Sequence, residues 1–187
     1  MSKKQINRKE ILRLIQEGLE QGKPREQIRD ELAAQYYGAT SIEKFIASTP
    51  DPHIRKEYSV TNTVLVVVMV LLAVQKIFSA VIMVNTMDVH PAVVLLSVPY
   101  PLFFIMIAYE VWQFKGWAYN VTALFTLVML IRSFQSNVFS SSGIELVFTF
   151  LPPVTVMVLA VYLGKTLFPH YGVFGPKKDA HGKTILG

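Results

Sequence analysis

Three ionisable side chains, Lys76, Arg132 and Glu145, stand inside stretches of sequence that otherwise read as lipid-soluble. Arg132 interrupts "TLVMLIRSFQSNVF", residues 126–139, and Glu145 follows in the next apolar run. A turn between these runs has its midpoint between Val138 and Phe139, about six to seven positions from each charge. The guanidinium and the carboxylate are therefore expected at similar depth on neighbouring helices. Their planar forks suit a bidentate pair. A lone charge at the centre of a bilayer helix costs at least about 2.5–3.5 kcal/mol, so charges there are paired or functional. Lys76 is expected to pair with Glu145, to face a cavity, or to snorkel toward the interface. Two chemistries fit this cluster. One is an ion pair that fixes helix register, and the other is a polar route or ligand site through the bundle.

Other motifs are poorer. "GKT" occurs at 164–166 and 182–184, but a phosphate-binding loop needs a glycine five residues before the first Gly, where Leu159 and Lys177 stand. The four histidines (His53, His90, His170 and His181) lack partners three or four positions on, so no helical metal site is encoded. No nucleophile elbow, zinc-protease signature or glycine-rich nucleotide fingerprint is present. No catalytic residue, metal ligand or cofactor is assigned. With no cysteine, thiol chemistry and disulfides are excluded.

The elements that carry these charges follow from composition. Of the 187 residues 52% are hydrophobic, and the mean hydropathy is +0.40. Residues 60–164 hold six charges: Lys76, Asp88, Glu110, Lys115, Arg132 and Glu145. The first 59 residues hold eleven basic and nine acidic side chains, and the last 23 hold four Lys and one Asp. A polar head, an apolar body and a basic tail result. A bilayer core needs about 20 apolar residues in a helix. Four runs qualify, at about 60–84, 91–109, 116–139 and 144–163. The loops after the first and third runs lack Lys and Arg, while the head, Lys115 and the tail are basic, so both termini are expected in the cytoplasm. Tyr58, Trp112, Trp117 and Tyr162, with Tyr109 and Tyr119, are expected as interface anchors on that side. Pro99 and Pro101 fall within the second run and Pro152 and Pro153 within the fourth, where each is expected to kink its helix.

The head, 1–56, reads as three short amphipathic helices. Ile11, Leu14, Ile15 and Leu19 form the first stripe, and Ile28, Leu32 and Tyr36 the second. Ile42, Phe45 and Ile46 form the third, opened by a Thr40–Glu43 capping box. A helix-turn-helix reading founders on the third helix, "SIEKFIAS", which offers one Lys and one Glu. Phosphate neutralisation needs more positive charge than that, so nucleic acid is not expected as a partner. The segment 165–187 is rich in Gly and Pro and is expected to be an irregular, flexible basic tail.

The expected fold class is all-α: a polytopic membrane protein with four transmembrane helices, residues 57–164, and a small N-terminal three-helix cytosolic module. The expected function is a non-enzymatic membrane anchor, sensor or accessory subunit that engages a protein through its head. The alternative is a small oligomeric channel or transporter with a route lined by Lys76, Arg132 and Glu145. Expected partners are the lipid bilayer and either a second copy or another membrane protein.

Overall fold

The computed structural model describes residues 7–36, 38–87, 99–137, 143–172, 175–180, 182 and 184–186. Within these, residues 39, 83–87, 135–137, 143–145 and 148 are described by their backbone alone. The chain is predominantly helical and divides into two compact units. One comprises Met1–Ser59, Phe114–Trp117 and Leu163–Gly187, and the other Val60–Gln113 and Ala118–Tyr162.

In the first unit, α1 (Arg8–Glu20) opens where Asn7 caps it, its Oδ1 accepting from the Lys9 N–H at 3.1 Å. Ile11, Ile15 and Leu19 are buried on one face, and Leu14 packs against them. The chain leaves this helix through Gly22 at φ +71°, a left-handed conformation that suits glycine. Helix α2 (Arg25–Gln35) buries Ile28 and Leu32, followed by Tyr36. Helix α3 (Ala39–Ser48) buries Ile42, Ile46 and Ala47. All three predicted stripes thus meet in one core.

Pro24 stands at the N-cap of α2, one position before its first turn. The entry to α3 differs from expectation. Gly38, at φ +92°, is the N-cap of α3, so Thr40 lies inside that helix and the Thr40–Glu43 capping box does not form. A short helix α4 (Pro52–Glu57) was not anticipated. Pro at its first position and Asp51 as its cap, accepting from the His53 N–H at 2.9 Å, explain it.

Expected to be a flexible tail, the segment 165–187 contributes through its described residues to this core. The long helix Gly143–Leu167 ends in this unit. Strand β1 (Tyr171–Gly172) then pairs antiparallel with β2 (Gly175–Pro176). Leu186, 2% exposed, joins Ile11, Ile15, Ile42 and Ile46, and Thr184 Oγ1 donates to Glu43 Oε2 at 2.7 Å. A single late leucine has no periodicity to reveal such a role.

The second unit is built from apolar helices: α5 (Ser59–Met87), α6 (Pro99–Trp112), α7 (Gly116–Asn137) and α8 (Gly143–Leu167). Their termini in the chain overlap the first unit. Three stretches are long and apolar enough to cross a membrane: Ser59–Ile82, Gly116–Phe134 and Thr149–Leu167. Their helical state is what hydrocarbon demands, because backbone amides there must bond within the segment. Large apolar side chains such as Leu71, Phe78, Leu124 and Phe134 are exposed, the reverse of a water-soluble surface. The fold is therefore that of an all-α protein whose helices fit a membrane.

The remaining predicted run, 91–109, is described only from residue 99 onward, as α6. Pro99 and Pro101 are the first and third described residues of α6, and the part of the run before them lies outside the described residues. Pro152 and Pro153 lie inside α8, which is assigned as one helix through both.

Candidate functional site

The predicted charge cluster is only partly on view. Lys76 lies on α5 and is exposed, and Arg132 lies on α7 and is exposed. Glu145 is in the first turn of α8, but its side chain lies outside the described residues, and so does the expected Arg132–Glu145 contact. Arg132 is within electrostatic reach of Tyr100, on α6. The Tyr100 ring stacks on Phe125 at 4.8 Å, and Phe103 and Phe104 approach the same ring at 5.3 and 5.8 Å. Its hydroxyl is buried and makes no hydrogen bond among the described residues. A buried donor left unmade costs about 1–3 kcal/mol, which makes this hydroxyl a notable point in the helical unit.

A second polar centre in that unit went unnoticed in the sequence. Asn62, 1% exposed on α5, donates through Nδ2 to the Val111 carbonyl of α6 at 3.1 Å. Tyr119, fully buried on α7, donates its hydroxyl to Asn62 Oδ1 at 2.6 Å and approaches the Val111 carbonyl at 3.4 Å. Val111 lies in the last turn of α6, whose carbonyls lack helical partners. One amide and one phenol thus close a helix end and join three helices. Each polar side-chain atom in the triad makes at least one hydrogen bond, so the triad can hold the geometry of the helices. Deeper along α7, Thr122 and Thr126 bond back to the Ala118 and Thr122 carbonyls at 2.8 and 2.7 Å, which satisfies buried hydroxyls within the helix. The signal for the triad was an Asn at the head of a run of valines, a costly residue type there.

Of the aromatic side chains expected as interface anchors, Tyr119 is instead fully buried in the triad, while Tyr109 is exposed. Trp112, Trp117 and Tyr162 are exposed, and Tyr58 is half-buried. Exposed indoles and phenols beside helix termini suit a headgroup layer.

The head carries its own polar features. Arg25 donates to the Ile46 carbonyl and, at 3.0 Å, to the Thr49 carbonyl, so the guanidinium fork closes the C-terminus of α3. Burial pushes its pKa below the ordinary arginine value, and the nearby Asp51 charge opposes that shift. His170 is held below its usual value, first by burial and then by the charges of Arg25 and Lys177. The Tyr36 hydroxyl donates to Glu10 Oε1 at 2.9 Å, and this bond raises the phenol's pKa.

Between α1 and α2 lies a cleft of about 200 Å³. Leu14, Gly18, Ile28 and Leu32 provide its apolar part, and Glu17, Lys23 and Glu31 its charges. Lys23 Nζ meets Glu31 at 2.9 Å, and Gln27 donates to the same carboxylate at 2.9 Å. These hydrogen bonds hold Glu31 below the usual carboxylate range. The helices approach closely because residue 18 is glycine: a Cβ there would stand 2.9 Å from Ile28 Cδ1. Among the described residues no three His, Asp or Glu side chains group as a metal site.

Neither the known protein-family models, nor the curated proteins, nor the solved structures provide a match to this chain.

Proposed function

We propose that this chain is a non-enzymatic integral component of the cell membrane, an anchor, sensor or accessory subunit that engages a protein partner through its N-terminal helical head. It has four spans, with the 91–109 run as the second, and both termini are cytoplasmic. The carrying observation is the union in one chain of three bilayer-length apolar helices with a separately packed unit of polar-surfaced helices that has its own core. The Lys and Arg distribution supports the orientation. The α1–α2 cleft offers an apolar floor with ion-paired carboxylates on its rim, Glu17 with Arg13 and Glu31 with Lys23, and suits an apolar side chain of a partner.

Two measurements test this reading. Reporter fusions at Lys3 and Gly187 should report cytoplasm, and those at Thr86 and Ser141 the outside. A cytoplasmic signal at Ser141 would break the four-span topology. Purification in mild detergent should retain a second protein, lost on Glu17→Lys with Glu31→Lys. Retention of the same protein by that variant would remove the cleft from the proposal.

The alternative is an oligomeric channel or transporter with Lys76, Arg132 and Glu145 along a polar route. It is favoured by one observation, the buried Tyr100 hydroxyl within reach of Arg132's field. Ion flux in liposomes from the purified protein, abolished by Arg132→Gln, would favour this second reading over the first.

A further inference from the structure

We propose that Arg55, Lys56 and Lys165 form a binding site for the phosphate of an anionic phospholipid headgroup in the cytoplasmic leaflet. The inference rests on reading the chain as a membrane component, and it adds a ligand to that reading. Arg55 and Lys56 lie in the last turn of α4, just before α5 begins at Ser59. Lys165 lies in the last turn of α8. Both places adjoin the ends of stretches fit to cross a membrane, Ser59–Ile82 and Thr149–Leu167. All three cations belong to the first compact unit, and all three are exposed.

Two contacts within that unit gather these places. The Arg55 guanidinium stands over the Phe114 ring at 4.8 Å. Phe114 takes φ +57°, a left-handed conformation unusual for a bulky residue, and such strain persists only where the surroundings enforce it. Two positions on, Gly116 opens α7 against Phe168, and a Cβ on it would stand 3.1 Å from that ring. Phe168 follows Lys165 by three positions and donates its N–H to the Gly164 carbonyl at 3.2 Å. The chain just before α5, the start of α7 and the end of α8 are thereby held together. The orientation rule for lysine and arginine alone requires no such packing.

The chemistry of the gathered groups calls for an anion. A stacked guanidinium keeps its N–H edge open, and Arg55, Lys56 and Lys165 make no ion pair among the described residues. Lys115, half-buried beside Phe114 in the chain, adds a fourth positive charge, against the exposed Glu57 carboxylate of α4. The guanidinium matches phosphate oxygens with paired N–H donors, and each ammonium adds a point charge. Trp117, exposed in the first turn of α7, brings an indole suited to the headgroup layer. A soluble phosphate would meet the same cations. A lipid phosphate already stands where spans end, and basic side chains next to a span attract it at short range.

The chain contains two tryptophans, so Trp112→Phe leaves Trp117 as the fluorescent reporter. The full-length chain with that change is reconstituted in phosphatidylcholine vesicles, and brominated-acyl phosphatidic acid or brominated-acyl phosphatidylcholine is added. Phosphatidic acid should reach half of its limiting quenching at a mole fraction at least tenfold lower than phosphatidylcholine. Lys165→Gln alone should lower this preference at least twofold. Arg55→Gln with Lys165→Gln should reduce it below threefold, while quenching by brominated phosphatidylcholine stays unchanged and shows the chain still in the bilayer. Lys44→Gln with Lys178→Gln removes equal charge from exposed positions of the same unit and should leave the preference intact. Equal quenching by the two lipids would overturn the proposal. So would a preference that survives the changes at Arg55 and Lys165, or one that falls equally with those at Lys44 and Lys178. Displacement of phosphatidic acid by millimolar inorganic phosphate would overturn it in favour of a soluble ligand. Quenching by neither lipid would show the chain outside the bilayer, and the membrane reading itself would fall together with this site.

Discussion

Replacing Asn62 and Tyr119 separately and together provides a measurable test of the buried triad. Asn62→Leu conserves approximate volume but removes the donor to Val111 and the acceptor for Tyr119. The Tyr119 hydroxyl can then turn fully to the Val111 carbonyl, already 3.4 Å away, so the loss is partly recovered. Tyr119→Phe removes the 2.6 Å bond and leaves Asn62 Oδ1 buried without its donor. A buried group without its partner costs about 1–3 kcal/mol, so each single change should destabilise by roughly 1–2 kcal/mol. In the double variant only the Val111 carbonyl remains to be satisfied. Its cost should therefore fall short of the sum by about 1 kcal/mol, within the upper range measured for hydrogen bonds between membrane helices. Reversible unfolding in mixed micelles measures all four corners of this cycle. Additivity within about 0.3 kcal/mol would mean that the two side chains do not share a bond, and the account of how α5, α6 and α7 are joined would fail.

Gly18→Ala should destabilise the head by roughly 1 kcal/mol through overpacking against Ile28; Ile28→Val, which removes the clashing Cδ1, should restore part of that in thermal melts of the full chain. Arg25→Lys should cost about 1–2 kcal/mol because an ammonium cannot fork across the Ile46 and Thr49 carbonyls, and a melting point unchanged from the parent would contradict this. His170 has a folded pKa below its unfolded value of about 6.5, so the unfolded state binds the extra proton first. Its contribution is complete above pH 6.5 and lost as pH falls toward the lowered folded value. His170→Gln should therefore flatten the stability profile just below pH 6.5, and an unchanged slope there would refute the assignment. Glu31, also held low, loses its contribution in a separate window below the usual carboxylate pKa, so Glu31→Gln should affect only that acid limb.

What was legible in the sequence was whatever repeats. The stripes Ile11–Ile15–Leu19 and Ile28–Leu32 follow the helical period, and they are buried as expected. The apolar runs follow bilayer length, and three of them meet that criterion as helices. Features resting on one residue were not legible. Leu186 enters the head core from a segment with no period, and Asn62 meets Val111 across 49 positions. Capping was misread at Thr40 because a threonine followed by Glu43 fits the pattern, while Gly38 supplied the left-handed entry to the helix. The ionisable cluster was chosen by cost in hydrocarbon, a criterion blind to neutral groups. It passed over the Tyr100 hydroxyl and the Asn62–Tyr119 bond for that reason.

Leu186 in the core of the head has a consequence for biosynthesis. Glu43 and Thr184 are separated by 141 positions, so a ribosome adding about 5–20 residues per second completes that contact roughly 7–30 s after the head's three helices have been made. During that interval the apolar helices are being handed to the insertion machinery while Ile11, Ile15, Ile42 and Ile46 lie beneath an unfinished lid. Chaperones and proteases can engage the nascent head throughout this wait. A message truncated before Leu186 would leave it permanently in that state. Completion of the head thus waits until the apolar helices that precede Leu186 in the chain have been synthesised.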